Sequence, residues 1–203
     1  MSSVGTYHHG NLRDALVIAA RGVLKDHGLS SLTLRATARA AGVSHMAPYN
    51  HFSDKRALLA ALADQGFTEL DARCEHAGSA GTDMRTNLQR VGQAYVEFAL
   101  DQPEMFQLMF SSEVAGMKRD RHESSAPITN VYGRMQGLVS GIVSDADARQ
   151  GDVEAACIGA WSLVHGLATL LIEGRIAVPE RRRKLLIKRV TQQFADSLSK
   201  QPG

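Results

Sequence analysis

A glycine set between two short segments of helical periodicity constrains this chain most. Residues 33–55 read Thr-Leu-Arg-Ala-Thr-Ala-Arg-Ala-Ala-Gly-Val-Ser-His-Met-Ala-Pro-Tyr-Asn-His-Phe-Ser-Asp-Lys. Thr33 suits an N-cap, because its hydroxyl can accept from an unpaired amide of the first helical turn. Leu34, Thr37, Ala38 and Ala41 then recur on one helical face. Gly42 suits a left-handed stop, and Ser44 suits the cap of a second helix beginning at His45. Ala38 is small where two helices must cross, and Val43 and Phe52 are apolar plugs that seat the pair on its domain. Two short helices about a tight turn form the helix-turn-helix pattern, whose second helix enters the major groove of DNA. An ordinary αα-hairpin is the rival reading. The agreement of caps, glycine, small residue and basic rim weighs against it.

The rest of the chain also reads as helix, so the expected class is all-α. No sustained alternating pattern calls for a strand. A first helix over about 11–25 carries Leu12, Leu16, Ala19, Ala20, Val23 and Leu24 and ends at Gly28. Asp54 caps a longer helix with Leu58, Leu59, Leu62, Phe67 and Leu70 inward. Gly78-Ser-Ala-Gly81 breaks the periodicity. Further helices are expected over about 83–100, from Pro103, over 127–143, over 151–172, and from Pro179 to about Leu198. Lys118 to Ser125 reads as an exposed loop, and Gln201-Pro-Gly as a frayed tail. The expected domains are residues 1–56, holding a three-helix DNA-binding unit, and residues 57–203. The helices from Asp54 and Asp83 are expected to join them.

Charge follows this division. The net charge is +2, yet residues 1–56 hold seven Lys/Arg against three Asp, leaving −2 for the remainder. Phosphate neutralisation supplies most non-specific DNA affinity, so the basic segment is the one expected to meet a duplex. No apolar run is expected to span a membrane, and no secretory leader is visible before Tyr7. Cys74 and Cys157 lack metal-like spacing and read as reduced thiols in a cytoplasmic protein. No pattern calls for a cofactor. His8 and His9 are adjacent and point apart on a helix, so an arm near DNA is favoured over a metal site.

Residues 8–67 resemble the N-terminal domain of the tetracycline-repressor (TetR) family of transcriptional regulators. The resemblance rests on the capped Thr-Leu-Arg, on Ala-Arg-Ala-Ala-Gly-Val-Ser, and on Tyr49-Asn-His-Phe-Ser-Asp-Lys-Arg-Ala-Leu-Leu59. The opening Tyr7-His-His-Gly-Asn-Leu-Arg13 is similar to one branch, and Trp161-Ser-Leu-Val-His165-Gly166 resembles that branch's Trp-His-Gly signature. The resemblance implies that Thr33 meets a phosphate, that Tyr49 packs on the DNA backbone and that Lys55 meets a phosphate. It implies base reading by His45, Met46 and Ala47, with Arg35, Ser44 and Asn50 also at the DNA. Thr37 stands where the family commonly has an apolar branched residue, and Asn50 where an aromatic or basic one is frequent. Pro48 lacks a backbone N–H inside the expected second helix.

The resemblance also implies a pocket for a small effector and a homodimer. Flexible apolar residues suit such a pocket. The candidates are Phe98, Met109, Phe110, Met135, Trp161 and His165, and plain core is the alternative for each. Trp161 and His165 are four apart and share one helix face. His165 either meets a ligand or satisfies a buried carbonyl. Few charges accompany these residues, so a largely apolar effector is expected. Gly159, Leu163 and Leu167, with Val190 and Phe194, form small and apolar stripes suited to a two-fold interface or to burial within one subunit. The expected function is a ligand-responsive regulator, a repressor released from a palindromic operator. The alternatives are an enzyme using His165, Glu97, Glu113 or Glu173, and an adaptor without DNA binding. No nucleophile elbow, metal cluster or phosphate loop supports the enzyme.

Overall fold

The computed structural model describes residues 12–114, 127–143 and 150–198, and every regular element among them is helical. In chain order these are α1 (Leu12–Ser31), α2 (Leu34–Ala40), a 3-10 turn (Ala47–Asn50), α3 (Lys55–Ser79), α4 (Met84–Asp101), α5 (Pro103–Met109), α6 (Pro127–Val143), α7 (Gln150–Ile172) and α8 (Glu180–Ser197). His8, His9, the 118–125 stretch and the 201–203 tail lie outside the described residues.

Contacts divide the chain into two compact units. The first holds residues up to Gln65 and a second segment from Glu104. The second holds Gly66–Pro103 and the chain from Lys118 onward. The division therefore falls inside α3, not after Arg56. α4 lies wholly in the second unit, whereas the expectation had it joining two domains.

In the first unit, α1 turns Leu16, Val17, Ala20, Val23 and Leu24 inward. Gly28 interrupts its helical geometry with φ 74°, a left-handed conformation that only glycine adopts at little cost. α2 begins on a cap, with the Thr33 hydroxyl accepting from the Ala36 amide at 3.0 Å. Leu34, Thr37 and Ala38 are buried, and Gly42 leaves the helix at φ 68°. Phe52 is buried with the Arg13 guanidinium over its ring. The Asp54 carboxylate caps α3 by accepting from the Ala57 amide at 2.8 Å.

In the second unit, α4 is the central helix and packs on α6, α7 and α8. Asp83 caps it, and the amide of Thr86 that it accepts from holds its carboxyl below the usual range. Gly92 sits where α4 meets α7 and α8. A Cβ there would lie 3.0 Å from Thr191 and 3.2 Å from Val164, so glycine sets the closeness of the crossing. Leu88, Met135, Val139, Val143, Cys157, Ala160 and Ala195 form an apolar cluster, with Trp161 and Phe194 packed against it.

The expectation of no membrane-length apolar run needs correction. Gly151–Ile172 has a mean hydropathy of 1.8, long and apolar enough to cross a membrane by length and composition. Ser162, His165 and Thr169 punctuate the run without lowering its average much.

Candidate functional site

The second helix of the motif is not the α-helix expected from His45. A 3-10 turn occupies Ala47–Asn50, preceded by a turn in which the Ala47 amide donates to Ser44 O at 3.0 Å. The Tyr49 amide donates to Met46 O and the His51 amide to Pro48 O, both three residues back. Pro48 explains this. It is buried, has no N–H to return to Ser44, and its ring would crowd that carbonyl in an α-helix. The turn has no side-chain cap, so Ser44 does not take the expected role. His51 is exposed, because three residues per turn shift the phase of the segment.

This turn presents an unusual surface. Met46 is 58% exposed and Tyr49 is 46% exposed, flanked by exposed Ser44, His45 and Asn50. Ala47 is half-buried. Thr33, Arg35 and Arg39 are exposed on and before α2. Lys55, at the start of α3, is ion-paired with Glu113 at 3.7 Å. That partner lies far along the chain, in the segment after α5, and no local pattern points to it.

The effector candidates separate. Met109 and Phe110 group with the first unit, where the Phe110 ring lies 4.9 Å from Phe106. Phe98, Met135, Trp161 and His165 belong to the second. Phe98 is fully buried beneath the Arg73 guanidinium, itself paired with Asp101 at 2.7 Å. Trp161 and His165 converge on Tyr95 of α4, which no motif in the sequence singles out. The Tyr95 hydroxyl lies 3.0 Å from His165 Nδ1, and Trp161 Nε1 donates to it at 3.4 Å. The hydroxyl accepts from the indole, and the tautomer of the imidazole sets which way the proton lies between the hydroxyl and Nδ1. Burial pushes the His165 pKa down and the Tyr95 pKa up, and both shifts favour this neutral pairing. His165 thus finds a phenol within hydrogen-bond distance. The Tyr132 ring lies 5.6 Å from that of Trp161.

Elsewhere in the second unit, an open depression of about 470 Å³ is lined by Ala72, Arg73, His76, Ala77, Ala94 and Glu97. None of the effector candidates lines it. The buried thiols are inert by environment. Cys74 is pushed up to about 12 by burial and by Asp71, against Arg134, and burial also raises Cys157. Of the interface candidates, Gly159 and Phe194 meet within the chain, since a Cβ on Gly159 would lie 3.6 Å from the Phe194 ring. Leu167 is buried, and Leu163 and Val190 are half-buried.

A capped helix, a left-handed glycine, an exposed second turn and a basic rim define the helix-turn-helix class of nucleic-acid-binding domain, here followed by a separate helical bundle. The comparisons agree. Residues 16–62 match the bacterial regulatory proteins of the tetR family, and residues 88–194 match the tetracyclin repressor-like C-terminal domain. The chain belongs to the TetR family of transcriptional regulators. It is 25% identical over 152 residues to the HTH-type transcriptional regulator Rv1816 of Mycobacterium tuberculosis, covering 70% of this chain and 65% of that protein. The chain thus spans about 65% of the length of the curated relatives it matches. A protein of unknown function from Rhodococcus sp. RHA1 is 32% identical, covers 96% of this chain and 97% of its own, and superposes with a TM-score of 0.73. BioQ, solved with its natural double-stranded DNA operator, shares the fold at 22% identity and a TM-score of 0.61, covering 97% and 100% of the two chains. The family is one of transcriptional regulators, not enzymes.

Proposed function

We propose that this protein is a cytoplasmic, homodimeric repressor that leaves a palindromic operator when a small, largely apolar effector binds. The observation that carries the DNA reading is the exposure of Met46 and Tyr49 together on a basic unit. Large apolar side chains are costly to present to water as a pair, and a duplex would cover them. His45, Met46 and Ala47 would then face base edges. Thr33, Arg35, Ser44, Tyr49, Asn50 and Lys55 would hold phosphates and set the register.

The effector reading centres on Trp161, Met135 and the Tyr95–His165 pair. Their surroundings are aromatic and aliphatic, and a doubly charged ligand would need paired counter-charges there. An effector that binds one arrangement of the dimer better shifts the population by its differential affinity. Recognition turns then fit or miss successive grooves about 34–36 Å apart. The dimer reading rests on α7, whose apolar span Gly151–Ile172 is only 28% buried within the chain.

Binding-site selection from random duplexes tests the DNA reading. A single palindromic consensus is the expected result, and Met46→Ala should alter its bases while Lys55→Ala weakens every sequence alike. A selection that enriches no sequence would remove the proposal.

A further inference from the structure

Reactive sulfur is unevenly placed among the described residues. Cys74 and Cys157 are buried, and burial keeps both thiols protonated, the form that oxidants attack least readily. Met105, Met109 and Met135 are buried as well. Two thioethers among the described residues reach the surface. Met84 is exposed at the start of α4, with its sulfur against Gly141 of α6. Met46 is the more exposed, and it stands immediately before the Ala47–Asn50 turn, beside exposed Ser44 and His45. A thioether needs no deprotonation to react, so exposure governs which one an oxidant finds.

We propose that Met46 is an oxidation site, and that its conversion to the sulfoxide by hypochlorous acid releases the protein from DNA. This rests on the DNA reading of the exposed turn and adds a covalent modification to it. The sulfur lone pair takes chlorine from hypochlorous acid, and hydroxide leaves. Water then adds at sulfur and chloride departs. Two protons are lost in that step, and one neutralises the hydroxide. Thioether and hypochlorous acid thus become sulfoxide, chloride and a proton. Sulfur is oxidised by two electrons and chlorine is reduced by two.

The product differs from its parent where a duplex would cover it. A thioether is apolar and flexible, and suits a thymine methyl or the carbon edge of a base. A sulfoxide is polar, with a strong acceptor oxygen and no donor. Major-groove edges present mostly acceptors: N7 and O6 of guanine, N7 of adenine and O4 of thymine. Only the amino groups of adenine and cytosine can donate to the new oxygen, and a site selected by the thioether is not selected to place one there. The oxygen is then stripped of water without a partner, or set against another acceptor. Bound DNA covers the sulfur, so the free protein is the form that reacts.

The test treats the full chain with limiting hypochlorous acid, quenches with free methionine, and maps added oxygen over all seven methionines by peptide mass spectrometry. Affinity is read on the duplex that binding-site selection returns for the untreated protein. Oxygen should appear on Met46 before any other methionine, and affinity should fall about tenfold or more. Methionine sulfoxide reductase should remove the oxygen and restore binding. Saturating operator present during the treatment should spare Met46. Met46→Leu, assayed on the duplex selected for it, should lose no affinity on treatment, whatever its starting value, whereas Met84→Leu should lose it as the wild type does. Oxygen that arrives first elsewhere, a Met46 sulfoxide that binds undiminished, oxidation of Met46 unslowed by operator, or a Met46→Leu protein that loses as much affinity as the wild type would each overturn the inference and leave DNA binding standing. An untreated protein that enriches no sequence would instead overturn the DNA reading.

Discussion

Replacing Thr37 by valine should stabilise the protein. Thr37 is fully buried in α2 and its hydroxyl has no hydrogen-bond partner. A buried hydroxyl left unpaired costs about 1–3 kcal/mol. Valine keeps the branched shape and nearly the same helix propensity, and adds a methyl where the oxygen was. The backbone carbonyl of Thr37 still accepts from the Ala41 amide, a bond that side-chain replacement leaves intact. The net expectation is a gain of about 2 kcal/mol. For a chain of this size melting as one unit, that corresponds to a rise in Tm of about 4–8 °C. Far-UV circular dichroism during urea and thermal unfolding measures it, because the single tryptophan lies in the second unit. Operator affinity should not change, since residue 37 presents nothing to DNA. A lower midpoint for Thr37→Val would refute the reasoning, because it would mean that the hydroxyl is bonded in the folded state.

Other expectations follow from the same geometry. Lys55→Ala should weaken operator binding and flatten its salt dependence by about one unit. Glu113→Gln should do the opposite, because it removes the carboxylate now paired with Lys55; fluorescence anisotropy across a salt series separates the two. An apolar effector should quench Trp161 emission at the concentration that releases DNA. Trp161→Ala should blunt release without altering operator affinity, and unaltered release would return Trp161 to the core. Burial pushes the His165 pKa below its ordinary 6.5. The folded state thus takes up that proton less readily than the unfolded one, and the stability it contributes is present above pH 6.5 and lost as the pH falls below it. Urea midpoints between pH 7.5 and 5 should show the fall, and His165→Gln should remove part of it. An identical profile in the variant would exclude His165 as its source.

What could be read along the chain was local. Thr33, Asp54, Gly28, Gly42 and Pro103 each act within four residues, through a cap, a left-handed turn or a fixed φ, and each stands where its chemistry required. The expected second helix gives way to a 3-10 turn because Pro48 does more than remove a donor. Its ring also excludes the α-helical position of the Ser44 carbonyl, and the segment tightened to three residues per turn. That change of period carried His51 outward. Pairings across the chain were beyond sequence reasoning. Tyr95 and His165 are 70 positions apart, and the bond between them depends on how α4 crosses α7 at Gly92. Lys55 and Glu113 meet only because the segment after α5 returns to the first unit. Phe194 looked equally suited to a partner or to its own core, and its seat on Gly159 emerges only once α7 and α8 are placed.

The 3-10 turn has an evolutionary consequence. In such a turn, side chains three residues apart eclipse, so Met46 and Tyr49 stand in one column instead of spreading around a cylinder. An α-helical reader can trade one base contact for another by mutating neighbouring positions that point to different bases. A column offers one line of approach, and a change at its upper residue alters what the lower one can touch. New operator preferences in this protein should therefore arise through paired substitutions at 46 and 49. Replacing Pro48 would be a larger step, since it would let the segment relax into an ordinary helix and redirect every side chain it carries.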